Sequence, residues 1–197
     1  MTHLSSSNQS SNHAPDRSFS QARQRIWALA KRARAAGNYL RAQWSRTFGL
    51  NVSQIDDMLF VGGQFRPEQW PLLHALGIRA VLSLQEEYED MFHGPPPERT
   101  LRLLVPDFQP PTIEQLREAV TFIEQAHADG LPVMVHCHAG VGRAPLTAAA
   151  YLIRDGRSAA DVMAFLKSAR PIIGLNDRQF ERLREWHELY HRERASG

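Results

Sequence analysis

Apolar and polar positions divide the chain into three stretches. Residues 1–20 are rich in Ser, Asn and Gln and almost free of apolar side chains. They offer too little buriable surface to offset the entropy of ordering, and disorder is expected there. From Gln21 to Phe48 the pattern changes, and Ile26, Leu29, Ala30, Ala33, Gly37, Leu40, Trp44 and Phe48 recur at helical spacing. Arg23, Arg25, Lys31, Arg32, Arg34, Arg41 and Arg46 occupy much of the remainder. The spacing predicts a basic amphipathic helical segment over 21–50, interrupted near Gly37–Asn38.

Residues 51–197 alternate strand and helix signals and read as one domain. Met58–Val61 is a short apolar run ending in Gly62–Gly63, and Pro67 opens a helix that Gly77 stops. Ile78–Leu84 and Leu101–Val105 have the Val/Ile/Leu content of buried strands; the loop between them contains Pro95–Pro96–Pro97. Thr112 with Gln115 three residues later predicts a capped helix to about Asp129. Val133–Cys137 is another buried strand, followed by helices near 143–155, 158–169 and 177–194. Strands alternating with helices predict an α/β fold: a central, largely parallel sheet flanked by helices.

Charge sharpens this division. Residues 1–50 carry eight Arg or Lys against one acid, Asp16, whereas residues 51–197 carry 15 basic and 20 acidic residues. The basic pI of about 9.0 therefore belongs to the N-terminal segment, which argues against a nucleic-acid-binding core. The single cysteine, Cys137, excludes an internal disulfide framework and any multi-cysteine metal site. No apolar run is long enough to span a membrane, and the start lacks the pattern of a secretory signal. A cytoplasmic, reducing location is the expectation.

The chemistry concentrates where the strand ends at Cys137. The sequence there reads Val135-His136-Cys137-His138-Ala139-Gly140-Val141-Gly142-Arg143-Ala144-Pro145. Ligands of open α/β sheets sit beyond the carboxyl ends of strands. Here a strand delivers a thiol to that edge, a five-residue loop follows, and Arg143 opens a helix. Gly140 and Gly142 lack Cβ atoms and are expected to let successive N–H groups of residues 138–142 turn inward. Such a nest at a helix N-terminus binds a tetrahedral oxyanion, and Arg143 adds a planar clamp. The same field favours the thiolate of Cys137, a nucleophile aimed at phosphorus. His136 and Cys137 point to opposite faces and no second cysteine exists, so neither a metal nor a cofactor is expected.

His-Cys-x5-Arg resembles the signature loop of the cysteine-dependent protein tyrosine and dual-specificity phosphatases, and the resemblance spans about residues 53–193. The loop itself is similar to that of the phosphatases of regenerating liver. Leu84-Gln85-Glu86-Glu87-Tyr88-Glu89 instead resembles the mitochondrial phosphatidylglycerophosphate phosphatase and its bacterial and plant relatives. The resemblance implies catalysis through a phosphocysteine on Cys137, with phosphate held by His138, Ala139, Gly140, Val141, Gly142 and Arg143. Asp107, in Val105-Pro106-Asp107-Phe108, matches the family's general acid; otherwise Pro-Asp simply starts a turn. Gln179 either positions water or pairs with Asn176 in a helix cap. His136 is expected to pack under the loop and orient it. Ala144 stands where the family usually has Ser or Thr, which implies slow breakdown of the phosphoenzyme.

Two classes of function stay open at this stage. One is a phosphomonoester hydrolase acting on phosphoprotein (Tyr or Ser/Thr) or on a phospholipid head group. The other is a weakly active phosphate- or protein-binding module. The basic segment 21–50 suits peripheral contact with an anionic membrane, packing on the domain, or a transit peptide. The chain ends Ala195-Ser196-Gly197, with no prenylation box expected.

Overall fold

The computed structural model describes residues 49–196; the expected disordered tail and most of the basic segment lie outside them. Strands β1 (Val52–Gln54), β2 (Leu59–Gly62), β3 (Ala80–Gln85), β4 (Arg99–Val105) and β5 (Val133–His136) form one sheet of order β1-β2-β5-β3-β4. All neighbours are parallel except β1, which pairs antiparallel with β2. The helices are α1 (Trp70–Ala75), preceded by a 3-10 turn at Pro67–Gln69, α2 (Ile113–Ala128), α3 (Arg143–Ile153), α4 (Ala159–Ala169) and α5 (Asp177–Ser196).

Two apolar cores explain the layering. The larger lies between one sheet face and α2 to α5, joining Leu82, Leu84, Val135, Leu116, Ile123, Leu166 and Trp186. The smaller lies on the other face under α1, with Trp70, Leu73, Phe60, Val81 and Met134. All eleven residues of α3 are buried, and its run of alanines lets it sit close to the sheet and the surrounding helices. The Thr112 cap forms as its sequence predicts: its hydroxyl accepts from the Gln115 N–H at 3.1 Å, and Gln115 Oε1 accepts from the Thr112 N–H at 2.9 Å. Strand β1 was not anticipated; at three residues it shows no period, and pairing with β2 defines it.

Because β2, β3, β4 and β5 run parallel, their carboxyl ends meet at one edge. Gly62 and Ser83 both stand in register with His136, and Gln85 with Val105. The loops after β2, β3 and β4 therefore converge around the one that follows the central strand β5.

The opposite edge holds a buried polar chain. His127 Nε2 lies 2.9 Å from the Met58 carbonyl, which can only accept, so this nitrogen carries the hydrogen. Its Nδ1 then accepts from the Tyr151 hydroxyl at 2.7 Å, and Arg154 donates to the same oxygen. Burial pushes the Tyr151 phenol up to about 12. Burial also holds His127 below the usual histidine value, against the pull of the Met58 carbonyl. The folded state thus prefers neutral His127. Its contribution to stability is complete above the ordinary histidine value of about 6.5 and is lost as pH falls through the lower folded value. Thermal melts should show this acid-side loss, and His127→Leu should flatten it while costing about 1–3 kcal/mol at neutral pH, because the Tyr151 hydroxyl loses the acceptor for its hydrogen.

Candidate active site

The loop leaving β5 is held from outside through its carbonyls. The His138 carbonyl accepts from the Gln64 N–H at 2.9 Å, and the Val141 carbonyl from the Gly174 N–H at 3.1 Å. The Ala139 carbonyl accepts from Asn51 Nδ2 at 3.1 Å, and the Gly140 carbonyl from Arg170 Nε at 2.8 Å. No described peptide is cis. In a trans peptide the N–H points opposite to the carbonyl before it, so the N–H groups of residues 139–142 turn inward. One of them, from Gly140, donates to Cys137 Sγ at 3.3 Å. Cys137 itself is only 2% exposed, at the floor of this ring.

The two loop glycines serve different purposes. Gly140 has φ +70, and a Cβ there would lie 2.5 Å from the Gly62 backbone. Gly142 does not share that conformation; its φ is −118. It is needed instead for close approach, since a Cβ would meet the Gln179 side-chain amide at 2.7 Å. Both glycines lie in the stretch whose N–H groups turn inward, but a Cβ is excluded at each for a different reason. Gln179 is buried, and it does pair with Asn176 as a reciprocal helix cap at 3.0 and 3.1 Å. Capping and contact with the loop occur in the same side chain.

Arg143 is buried, and its guanidinium is surrounded by acceptors. Glu87 takes it as a fork, Oε2 at 3.0 Å from Nη1 and Oε1 at 2.9 Å from Nη2. The Val105 carbonyl accepts from Nη1 at 2.7 Å, and Asp107 Oδ1 lies 2.9 Å from Nη2. Burial would lower the Arg143 pKa; the bond to Glu87 and the charges of Cys137 and Asp107 outweigh it and hold the value above the usual arginine range. In return the hydrogen bond from Arg143 keeps Glu87 below the usual carboxylate range despite partial burial. Asp107 is half exposed. The next residue, Phe108, has φ 60 and is 73% exposed. Asn176 Nδ2 donates to the Phe108 carbonyl at 2.9 Å, tying this loop to the start of α5.

Several contributors gave no signal in the sequence. Arg170, buried behind the loop, joins the Gly140 carbonyl to Ser53 and Asn51. Burial lowers its pKa, while the charge of Cys137 opposes this. Glu87 lay within the quoted 84–89 segment without an assigned role. His136 is buried at the end of β5, its Nε2 2.7 Å from Asp90. His138 is exposed, 3.0 Å from Gln64 Oε1 and stacked on Tyr88. Among the described residues, no cluster of three His, Cys, Asp or Glu is placed to hold a metal ion. The arrangement brings a sulfur, inward-turned N–H groups, a guanidinium and a carboxyl group to one end of the sheet.

A family model described as the catalytic domain of dual specificity phosphatases matches residues 59–189. The chain belongs to that family. This dual specificity phosphatase domain is 36% identical over 104 residues to Dual specificity protein phosphatase 12 of Homo sapiens, covering 51% of this chain and 31% of that one. It is 30% identical over 125 residues to Dual specificity protein phosphatase 1 of Mus musculus, 62% of this chain and 34% of that one. The chain thus spans about a third of the length of these relatives. Among solved structures, PTPMT1 in complex with PI(5)P superposes with a TM-score of 0.66 at 27% identity, covering 73% of this chain and 98% of that one. Tk-PTP in the active form gives 0.62 at 26% identity, covering 70% and 97%.

Proposed function

We propose that this domain hydrolyses phosphate monoesters in two steps through a phosphocysteine on Cys137. In the first, Sγ attacks phosphorus, an S–P bond forms and the P–O bond to the leaving group breaks. Asp107, protonated, gives its proton to the departing oxygen. In the second, water attacks phosphorus, Asp107 takes its proton, and the S–P bond breaks to return the thiolate. Arg143 and the inward N–H groups balance charge on the remaining phosphate oxygens throughout. Gln179, whose side chain lies against Gly142, orients the water.

The observation that carries this reading is Asp107 resting 2.9 Å from Arg143 Nη2. A carboxyl group and an anion clamp meet beside the loop that carries Cys137. A phosphate oxygen reaching Nη2 takes the position the carboxylate occupies and frees Asp107 to turn to the leaving oxygen.

The substrate is proposed to be a phosphoprotein or a phospholipid head group. Tyr88, Met91, Phe108, Ile172 and Phe180 are exposed apolar side chains, each close in sequence to a residue that contacts the loop or Arg143. They favour a phosphate carried in an apolar setting, and the likeness to PTPMT1, solved with PI(5)P, supports the lipid arm.

Asp107→Ala tests the chemistry. Its kcat should fall by about 10²–10⁴ for alkyl phosphates, which need a proton donor, and clearly less for p-nitrophenyl phosphate, whose leaving group does not. Equal losses on both substrates would remove the acid role. A wild-type protein with no turnover above buffer would favour the binding-module reading, which the absence of a hydroxyl at the buried Ala144 keeps in view.

A further inference from the structure

The segment after β3 touches the nucleophile loop and its flanks at three places. Glu87 forks Arg143, the Tyr88 ring stacks on His138 with centroids 6.1 Å apart, and Asp90 Oδ2 meets His136 Nε2 at 2.7 Å. The third contact has no part in the mechanism above. His136 is fully buried and directly precedes Cys137, at the end of the central strand.

The pairing dictates where the ring carries its hydrogen. An ionised carboxylate only accepts, so Nε2 is the protonated nitrogen. The other Asp90 oxygen accepts from Gln85 Nε2 at 3.2 Å, so the carboxylate is held from two sides. Nδ1 is then the one ring atom whose proton can change. It is buried without a hydrogen-bond partner, and so is Ser83 Oγ. Ser83 is the residue in register with His136 on the neighbouring strand. A hydroxyl donates or accepts, so rotation of Ser83 toward the ring would serve either protonation state. The other close neighbour, Phe65, has its ring 5.3 Å away and is uncharged. Asp90 is thus the charged side chain in contact with the imidazole.

The geometry points to Asp90 as a positioning residue for the nucleophile, acting through His136. It pins the hydrogen on Nε2 and supplies the negative charge that lets the ring carry a positive one beside Cys137. A positive charge one residue from the sulfur favours the thiolate. This rests on the phosphocysteine reading above and adds to it a residue that touches neither substrate nor sulfur.

The test uses the full chain and reads the rate at which iodoacetamide alkylates Cys137 at about pH 6 relative to about pH 9. The wild type should react at both. In Asp90→Asn, which keeps the shape and removes the charge, the ratio should fall by about tenfold, with kcat reduced and KM nearly unchanged. Asp90→Glu should recover most of the loss. An Asp90→Asn ratio equal to the wild type's would overturn the inference. A wild type that itself reacts only at the higher pH would overturn the phosphocysteine reading first, and the two failures are told apart by which protein is slow. Should Asp90→Asn not fold, nitrogen NMR of the wild-type His136 ring decides: Nε2 protonated over this pH range supports the pairing, and a bare Nε2 sinks it.

Discussion

Cys137→Ser is expected to lose at least about 10⁴-fold in turnover while keeping the fold and the ability to bind an oxyanion. The substituted hydroxyl is slightly smaller than the thiol and still accepts from the Gly140 N–H, so the loop has no reason to collapse. The nucleophile, however, becomes a neutral alcohol. Among the described residues no histidine, aspartate or glutamate is bonded to Sγ, so none stands ready there to deprotonate a serine. Steady-state rates with p-nitrophenyl phosphate, set beside tungstate binding by calorimetry, separate the two effects. A serine variant with appreciable turnover would move the nucleophile elsewhere.

Arg143→Lys should lower kcat/KM by about 10²–10³-fold, although the charge is preserved. The guanidinium at this position satisfies two Glu87 oxygens, the Val105 carbonyl and Asp107 with one planar group. A lysine ammonium offers three donors about a single atom and cannot span that set. Glu87 and Asp107 then face the phosphate site with less compensation, and both repel the substrate. The loss should show in KM for phosphate esters as well as in kcat. Thermal stability should fall too, since Arg143 is buried and links β5 and α3 to the loops after β3 and β4. Rates within threefold of wild type would mean that the fork is dispensable.

The parts of the site legible in the sequence are those built from consecutive residues. An apolar strand, a cysteine, a loop with glycines and an arginine opening a helix lie within eleven positions, and local backbone rules connect them. Asp107 was singled out through the resemblance of Val105-Pro106-Asp107-Phe108 to the family's acid loop. The parts that were not legible are joined across the sheet: Arg143 to Glu87 over 56 residues, Arg170 to Asn51 over 119, and His136 to Asp90 over 46. Polar residues in loops look alike until strand order places their ends together, and that order, with β5 between β2 and β3, is a tertiary fact. The particular need for Gly142 was not legible for a related reason. A glycine needed for positive φ and one needed for close approach look identical, and the approaching amide belongs to α5.

The most direct measurement is rapid acid quench of wild-type protein with excess p-nitrophenyl phosphate, followed by peptide mass spectrometry. The account predicts a burst of product and a phosphoryl group on the peptide at Cys137, approaching one per chain, because Ala144 supplies no hydroxyl to the departing thiolate. Steady turnover with no phosphate on Cys137 at any time point would contradict it.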